Sequence, residues 1–262
     1  VNLDRRIVGL EGRDTPAFQH PNPGSDLIEG RVAASFSSAQ AHDFSVSLES
    51  GVRMSVALRQ RWDRSVPDSL LGRERADDAL REALLIFEGY QGVPGPGFAR
   101  HVLALRASAG LSSGPGAGPG HFSVGGGAGD GSGLVGFAVG TGFRRFPVRG
   151  FPAGALYGPD AWAVSGEWRF PVRFVDRGLG AWPIYLDRLA GSLFIDVAGA
   201  GAPAEGPAGW HTISSAGAEL VLSHSTLFEA LERLRLGVAF PLEVSPGAPS
   251  NPSVYVQTGW SF

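Results

Sequence analysis

The 262-residue chain is long enough for one large domain or two small ones, and its net charge of -3 gives no reason to expect a nucleic-acid or other polyanion partner. Glycine (39) and proline (19) make up about a fifth of the residues, against roughly 12 % in an average protein, which argues against a helical bundle and for strands joined by turns and long loops. The absence of cysteine excludes a disulfide scaffold and any Cys-ligated metal, and no apolar run approaches the ~18 residues of a membrane-spanning helix. All 22 basic residues counted as Lys or Arg are Arg, which a GC-rich genome explains as well as any function. Opening at Val1 without a leader, the sequence is expected to be a mature form or a piece of something longer.

Taken in chain order, the apolar residues alternate with polar ones at period 2, the signature of strands with two unlike faces. Val1 to Leu10 suits the tail of one strand. Ile28, Val32, Ala34 and Phe36 then alternate with Glu29, Arg31 and Ser35, and Val52, Met54, Val56 and Leu58 with Arg53, Ser55, Arg59 and Arg61. Between Arg75 and Phe87 the apolar residues fit helical spacing, yet Ala83, Leu85 and Phe87 also fit a strand running to Tyr90. The turn at Gly95-Pro96-Gly97 favours a hairpin with the next strand, around Leu103 and Leu105. Further alternations run from Trp162 to Phe170, Ser192 to Val197, Ser215 to Leu222, Arg233 to Leu242 and Val254 to Phe262.

About ten strands are expected. A soluble sandwich also alternates, but strands of about ten residues or more match a tilted bilayer crossing. One face holds small residues with Arg or Glu, suiting a wet lumen, and the other is apolar with aromatics near its ends. The expected fold is therefore an all-β, transmembrane antiparallel β-barrel spanning residues 1–262. A long loop is expected over residues 112–158.

Familiar catalytic patterns dissolve on inspection. Gly110-Leu111-Ser112-Ser113-Gly114 has nucleophile-elbow spacing, but the Pro- and Gly-rich run that follows cannot form the helix this chemistry needs. Gly131-Ser132-Gly133-Leu134-Val135-Gly136 matches a dinucleotide fingerprint with neither a strand feeding it nor a helix after it. The six His residues show no ligand spacing, and Asp77-Asp78 sits in a charged connector. No catalytic residue, metal site or cofactor is expected.

Three ordered segments carry a resemblance. They are Phe146-Pro147-Val148-Arg149-Gly150-Phe151, Gly166-Glu167-Trp168-Arg169-Phe170-Pro171 and Phe194-Ile195-Asp196-Val197-Ala198-Gly199, followed by a terminal Phe262. Over roughly residues 98–262 the set resembles the BamA/TamA family of outer-membrane barrel proteins (bacterial surface antigen type). That family has a Val-Arg-Gly-Phe/Tyr loop, a Glu-x-Arg-Phe-Pro strand and a Phe-x-Asp-x-Gly strand. Glu167 and Asp196 fall on the polar faces of their strands, where a planar Arg149 fork suits one or two carboxylates. Gly150 would let the loop turn tightly beside the wall, and Phe151 would anchor it.

The resemblance implies Val148, Arg149, Gly150 and Phe151 as a functional loop, Glu167 and Asp196 as its lumen partners, and Trp260 and Phe262 as a C-terminal strand signal. It also implies the C-terminal part of a sixteen-stranded barrel in the bacterial outer membrane. Such a barrel is not an enzyme. It inserts barrel proteins into that membrane, or moves polypeptide or lipid across it. Its partners would be the lipid bilayer, nascent outer-membrane or secreted polypeptides, and periplasmic accessory proteins. Three departures stand out: Gly125-Gly126 is far from Val148, where the family usually places a Gly pair just before the motif; about ten strands are expected against the family's sixteen; and none of the family's usual N-terminal periplasmic modules is expected within these 262 residues. A passive pore or secretion channel on the same fold is the first alternative, and a barrel-borne hydrolase the second.

Overall fold

The computed structural model describes residues 27–63, 79–114, 121–127, 145–201, 209–226, 232–243 and 251–260. Among them the chain is all-β, with no helix. Four long strands come first: β1 (Leu27–Ser37), β2 (Ser50–Asp63), β3 (Ala79–Val93) and β4 (His101–Ser113). Three short ones follow, β5 (Phe122–Val124), β6 (Arg145–Phe146) and β7 (Leu156–Gly158). Five long strands complete the order: β8 (Ala161–Gly178), β9 (Ile184–Gly201), β10 (Trp210–Thr226), β11 (Glu232–Glu243) and β12 (Ser253–Trp260).

The nine long strands form one sheet in the order β1-β2-β3-β4-β8-β9-β10-β11-β12, antiparallel throughout. Chain neighbours are sheet neighbours everywhere, except that the three short strands between β4 and β8 make a small sheet of their own, β6-β5-β7. The large sheet is open. β1 and β12 each pair on one side only, so the nine described long strands, which match nine of the ten expected, do not close a barrel. Residues 1–10 and 75–78 lie outside the described residues.

The ambiguous stretch resolves as strand. From Ala79 to Val93 it pairs with β2 on one side and β4 on the other, so ladder hydrogen bonds override the helical spacing of its apolar residues. The two faces of the sheet differ as the alternation requires. Met54, Val56 and Leu58 on β2, Leu103 and Leu105 on β4, Val164 and Trp168 on β8, Leu193 and Ile195 on β9, and Val254 and Val256 on β12 are large, apolar and exposed on the outer face. The inner face is small and polar, and two other segments of the chain lie on it.

The larger segment is the β4–β8 connection with its small sheet. Phe122, Val124, Phe146, Val148 and Phe151 pack against Ala161, Ala163, Ala198, Ala200 and Ile213 of β8, β9 and β10. Apart from Ile213, the wall contributes alanines and the insert contributes the bulk. At Gly110 of β4 even a Cβ would lie 2.8 Å from the rings of Phe122 and Phe146, so only glycine leaves room for them. The smaller segment is the β1–β2 connection, where Val46 is buried against Val102, Ala190 and Val221. Arg188 of β9 donates from Nη1 to the Ser45 carbonyl at 2.6 Å, tying that segment across the inner face.

Candidate functional site

Arg149 sits in the turn between β6 and β7, and the local backbone explains how it gets there. Gly125 and Gly126, with φ of +109° and +81°, bend the chain after β5. Their amides donate to the Phe146 and Phe151 carbonyls at 2.9 Å, and the Val148 amide returns a bond to the Gly126 carbonyl at 2.9 Å. The glycine pair distant in sequence is thus adjacent in space to the Val-Arg-Gly-Phe segment. Gly150 has φ +92°, and a Cβ there would lie 2.9 Å from Ala239 Cβ on β11, so backbone conformation and close approach both call for glycine. Val148 and Phe151, both buried, hold the two ends of the turn in the apolar cluster.

Between those anchors the Arg149 side chain reaches the wall. Its backbone amide and Nε both donate to Asp196 Oδ2, at 3.1 and 2.8 Å, and Nη2 donates to Asp196 Oδ1 at 2.7 Å. Nη1 donates to Glu167 Oε1 at 2.8 Å and stands 3.4 Å from Glu219 Oε1. Nη2 also meets Ser165 Oγ at 2.9 Å, and that hydroxyl donates to Asp196 Oδ1 at 2.7 Å. Both carboxylates named from the sequence therefore meet the arginine, Asp196 through both of its oxygens. Every nitrogen of the guanidinium is engaged, the arrangement in which an Arg–carboxylate pair is strongest. Burial opposes the charge on Arg149, but the Asp196 hydrogen bonds and the fields of Glu167, Asp196 and Glu219 outweigh it and hold its pKa above the ordinary arginine value.

The network continues along the wall. Arg169 donates from Nε to Glu167 Oε2 at 2.7 Å, Arg235 stands 3.5 Å from Glu219 Oε2, and the Tyr255 hydroxyl donates to Glu219 Oε1 at 2.7 Å. One arginine thus links the insert to β8, β9 and β10 directly, and through Glu219 to β11 and β12. A second tether joins the insert to β3: the His121 ring meets Glu82, which also accepts from Arg59 Nε.

Sequence reasoning did not assign Ser165, Phe194, Glu219 or Tyr255 to the site. The alternation did place Glu219 on the same face as Ser215 and Gly217. What was missing was a partner, because Tyr255 lies 36 residues away. Trp260 ends β12 opposite Glu232, but its side chain and all of Phe262 fall outside the described residues. Ser112 is engaged by the β7–β8 turn: its hydroxyl donates to the Pro159 carbonyl and its amide to Asp160 Oδ1, and no helix is present among the described residues. The Gly131–Gly136 segment and Asp77-Asp78 lie outside the described residues. Among the described residues no group of His, Asp or Glu has the geometry of a metal site.

Taken together, these contacts make a charged latch that clamps an inserted loop to the inner face of a long-stranded sheet. Comparisons with protein-family models, with curated proteins and with solved structures return no match.

Proposed function

We propose that the chain forms the wall of an outer-membrane barrel of the BamA/TamA type, with the β4–β8 insert held in its lumen by Arg149. The role is to insert barrel proteins into the bacterial outer membrane or to move polypeptide or lipid across it, without enzymatic chemistry. The observation that carries this reading is the contact of Arg149 with both Glu167 and Asp196, because these are the residues the three ordered segments single out. The outer face supports it: large apolar side chains lie exposed on strands from β1 to β12, as a lipid-facing wall requires. In this reading further strands complete the barrel beyond β1 and β12, since unpaired strand edges are costly in lipid.

Depletion of the protein from its host, followed by quantifying other heat-modifiable barrels in the outer membrane, tests the role. Broad loss of those barrels is the expected result. Unchanged barrel levels with this protein still resident in the outer membrane would reject an assembly role and favour a dedicated channel. Absence from the outer membrane would reject the whole reading.

A further inference from the structure

The charges on the inner face do not balance evenly. Around the latch stand five arginines, Arg149, Arg169, Arg188, Arg233 and Arg235, and four carboxylates, Glu167, Asp187, Asp196 and Glu219. Four arginines have a carboxylate: Arg149 meets Asp196, Glu167 and Glu219, Arg169 meets Glu167, Arg188 meets Asp187, and Arg235 meets Glu219. Among the described residues Arg233 has no carboxylate, and its buried Nε has no hydrogen-bond partner among them either. The charges acting on it most strongly are Arg235, Arg169, Arg188 and Asp187, three of the four of its own sign.

The register explains the convergence. Ser223 of β10 pairs with Arg188 of β9 on one side and with Arg233 of β11 on the other, so the two arginines flank one buried serine at the same height. Arg235 lies two residues along β11 and therefore on the same face. Its side chain is 25 % exposed, with a single long ion-pair contact among the described residues, so its remaining donors can reach a ligand.

A largely buried guanidinium without a counter-charge is costly, and arginine forks set side by side are an arrangement proteins use to grip a phosphate. We infer that Arg233, with Arg235 and Arg188, forms an anion site on the inner face that takes a phosphate group, either free or on a phospholipid headgroup. The site belongs to the inner face and stands whether or not the outer face meets lipid.

The test is calorimetric titration of inorganic phosphate into the full chain in zwitterionic detergent, alongside Arg233→Gln, Arg233→Lys and the control Arg173→Gln, whose arginine is exposed. Saturable binding, weakened about ten-fold or more in Arg233→Gln and unchanged in Arg173→Gln, is expected, since a hydrogen bond to a charged group is worth ~1.5–3 kcal/mol. Arg233→Lys keeps the charge and loses the fork; it should bind more weakly than the parent, and it carries the test if the Gln variant does not fold. A parallel titration with dihexanoyl phosphatidylglycerol separates the sources. Displacement of phosphate by the lipid assigns the site to a headgroup, and binding of phosphate without displacement assigns it to the free ion. Equal affinity in parent and Arg233 variants, or no saturable binding of either probe, overturns the proposal.

Discussion

The Arg149 guanidinium lies over the ring of Phe194, its Cζ 3.6 Å from the ring centroid, while the same guanidinium bonds Asp196 two residues further along β9. Residues i and i+2 of one strand share a face, so a single strand supplies both the platform and the counter-charge. The stacked ring shields the ion pair from water on one side, which strengthens it.

Removing one member of this pair leaves the other buried and uncompensated. Arg149→Ala and Asp196→Ala are each expected to destabilise the folded protein by about 3–5 kcal/mol. The double variant should lose clearly less than the sum of the two. Denaturant unfolding of all four proteins in detergent provides the cycle, and additive losses would mean that the pair is not coupled. Arg149→Lys should recover only part of the loss, because an ammonium cannot span Asp196 and Glu167 with the same geometry.

The Phe194 ring depends on Gly217, its neighbour on β10. A Cβ at 217 would come within 2.1 Å of the Val238 carbonyl and 2.5 Å of Phe194 Cζ. Gly217→Ala should therefore cost at least about 1–3 kcal/mol by overpacking, and it should lower the stability benefit of Arg149 as well. Gly166, on the outer face of β8, is the contrast: its nearest neighbour would be Ile195 Cγ2 at 3.6 Å. Gly166→Ala should change stability by no more than about 0.5 kcal/mol. Equal losses in the two variants would contradict this placement of the two faces.

The wall of the sheet was legible because alternation is written locally: Glu167 and Asp196 announce their face through Ser165, Arg169, Ser192 and Phe194 beside them. The insert was legible only as a loop. Its strands are two or three residues long, too short to show a period, and β5 pairs with β6 across an intervening stretch of about twenty residues. Val46 could not be read either, since nothing in its neighbourhood foretells burial against β4, β9 and β10. The stretch around Leu84 carried two periods at once, and pairing with β2 and β4 decided between them.

Gly110 controls how the insert seats. Alanine at this position would push on both Phe122 and Phe146, whose rings also meet edge-to-face at 5.6 Å. Gly110→Ala is expected to loosen the insert while leaving the long strands paired. Limited proteolysis should then cut within 121–127 or 145–158 several-fold faster than in the parent. Unchanged cleavage would show that the rings are not held by this wall position.

The outer face offers the sharpest test of what surrounds the sheet. Ile195 is 51 % exposed and neighbours Gly166 and Ala216 in register, near the middle of the sheet. If lipid covers that face, Ile195→Arg should cost about 2–4 kcal/mol for folding into vesicles, the penalty of a charge near the bilayer midplane. The same substitution at an exposed position in water should change stability by no more than about 0.5 kcal/mol. Fluorescence-monitored unfolding of the parent and Ile195→Arg in phospholipid vesicles measures the difference. A near-neutral result would place Ile195 against water and remove the membrane reading of the outer face, while leaving the Arg149 network on the inner face untouched.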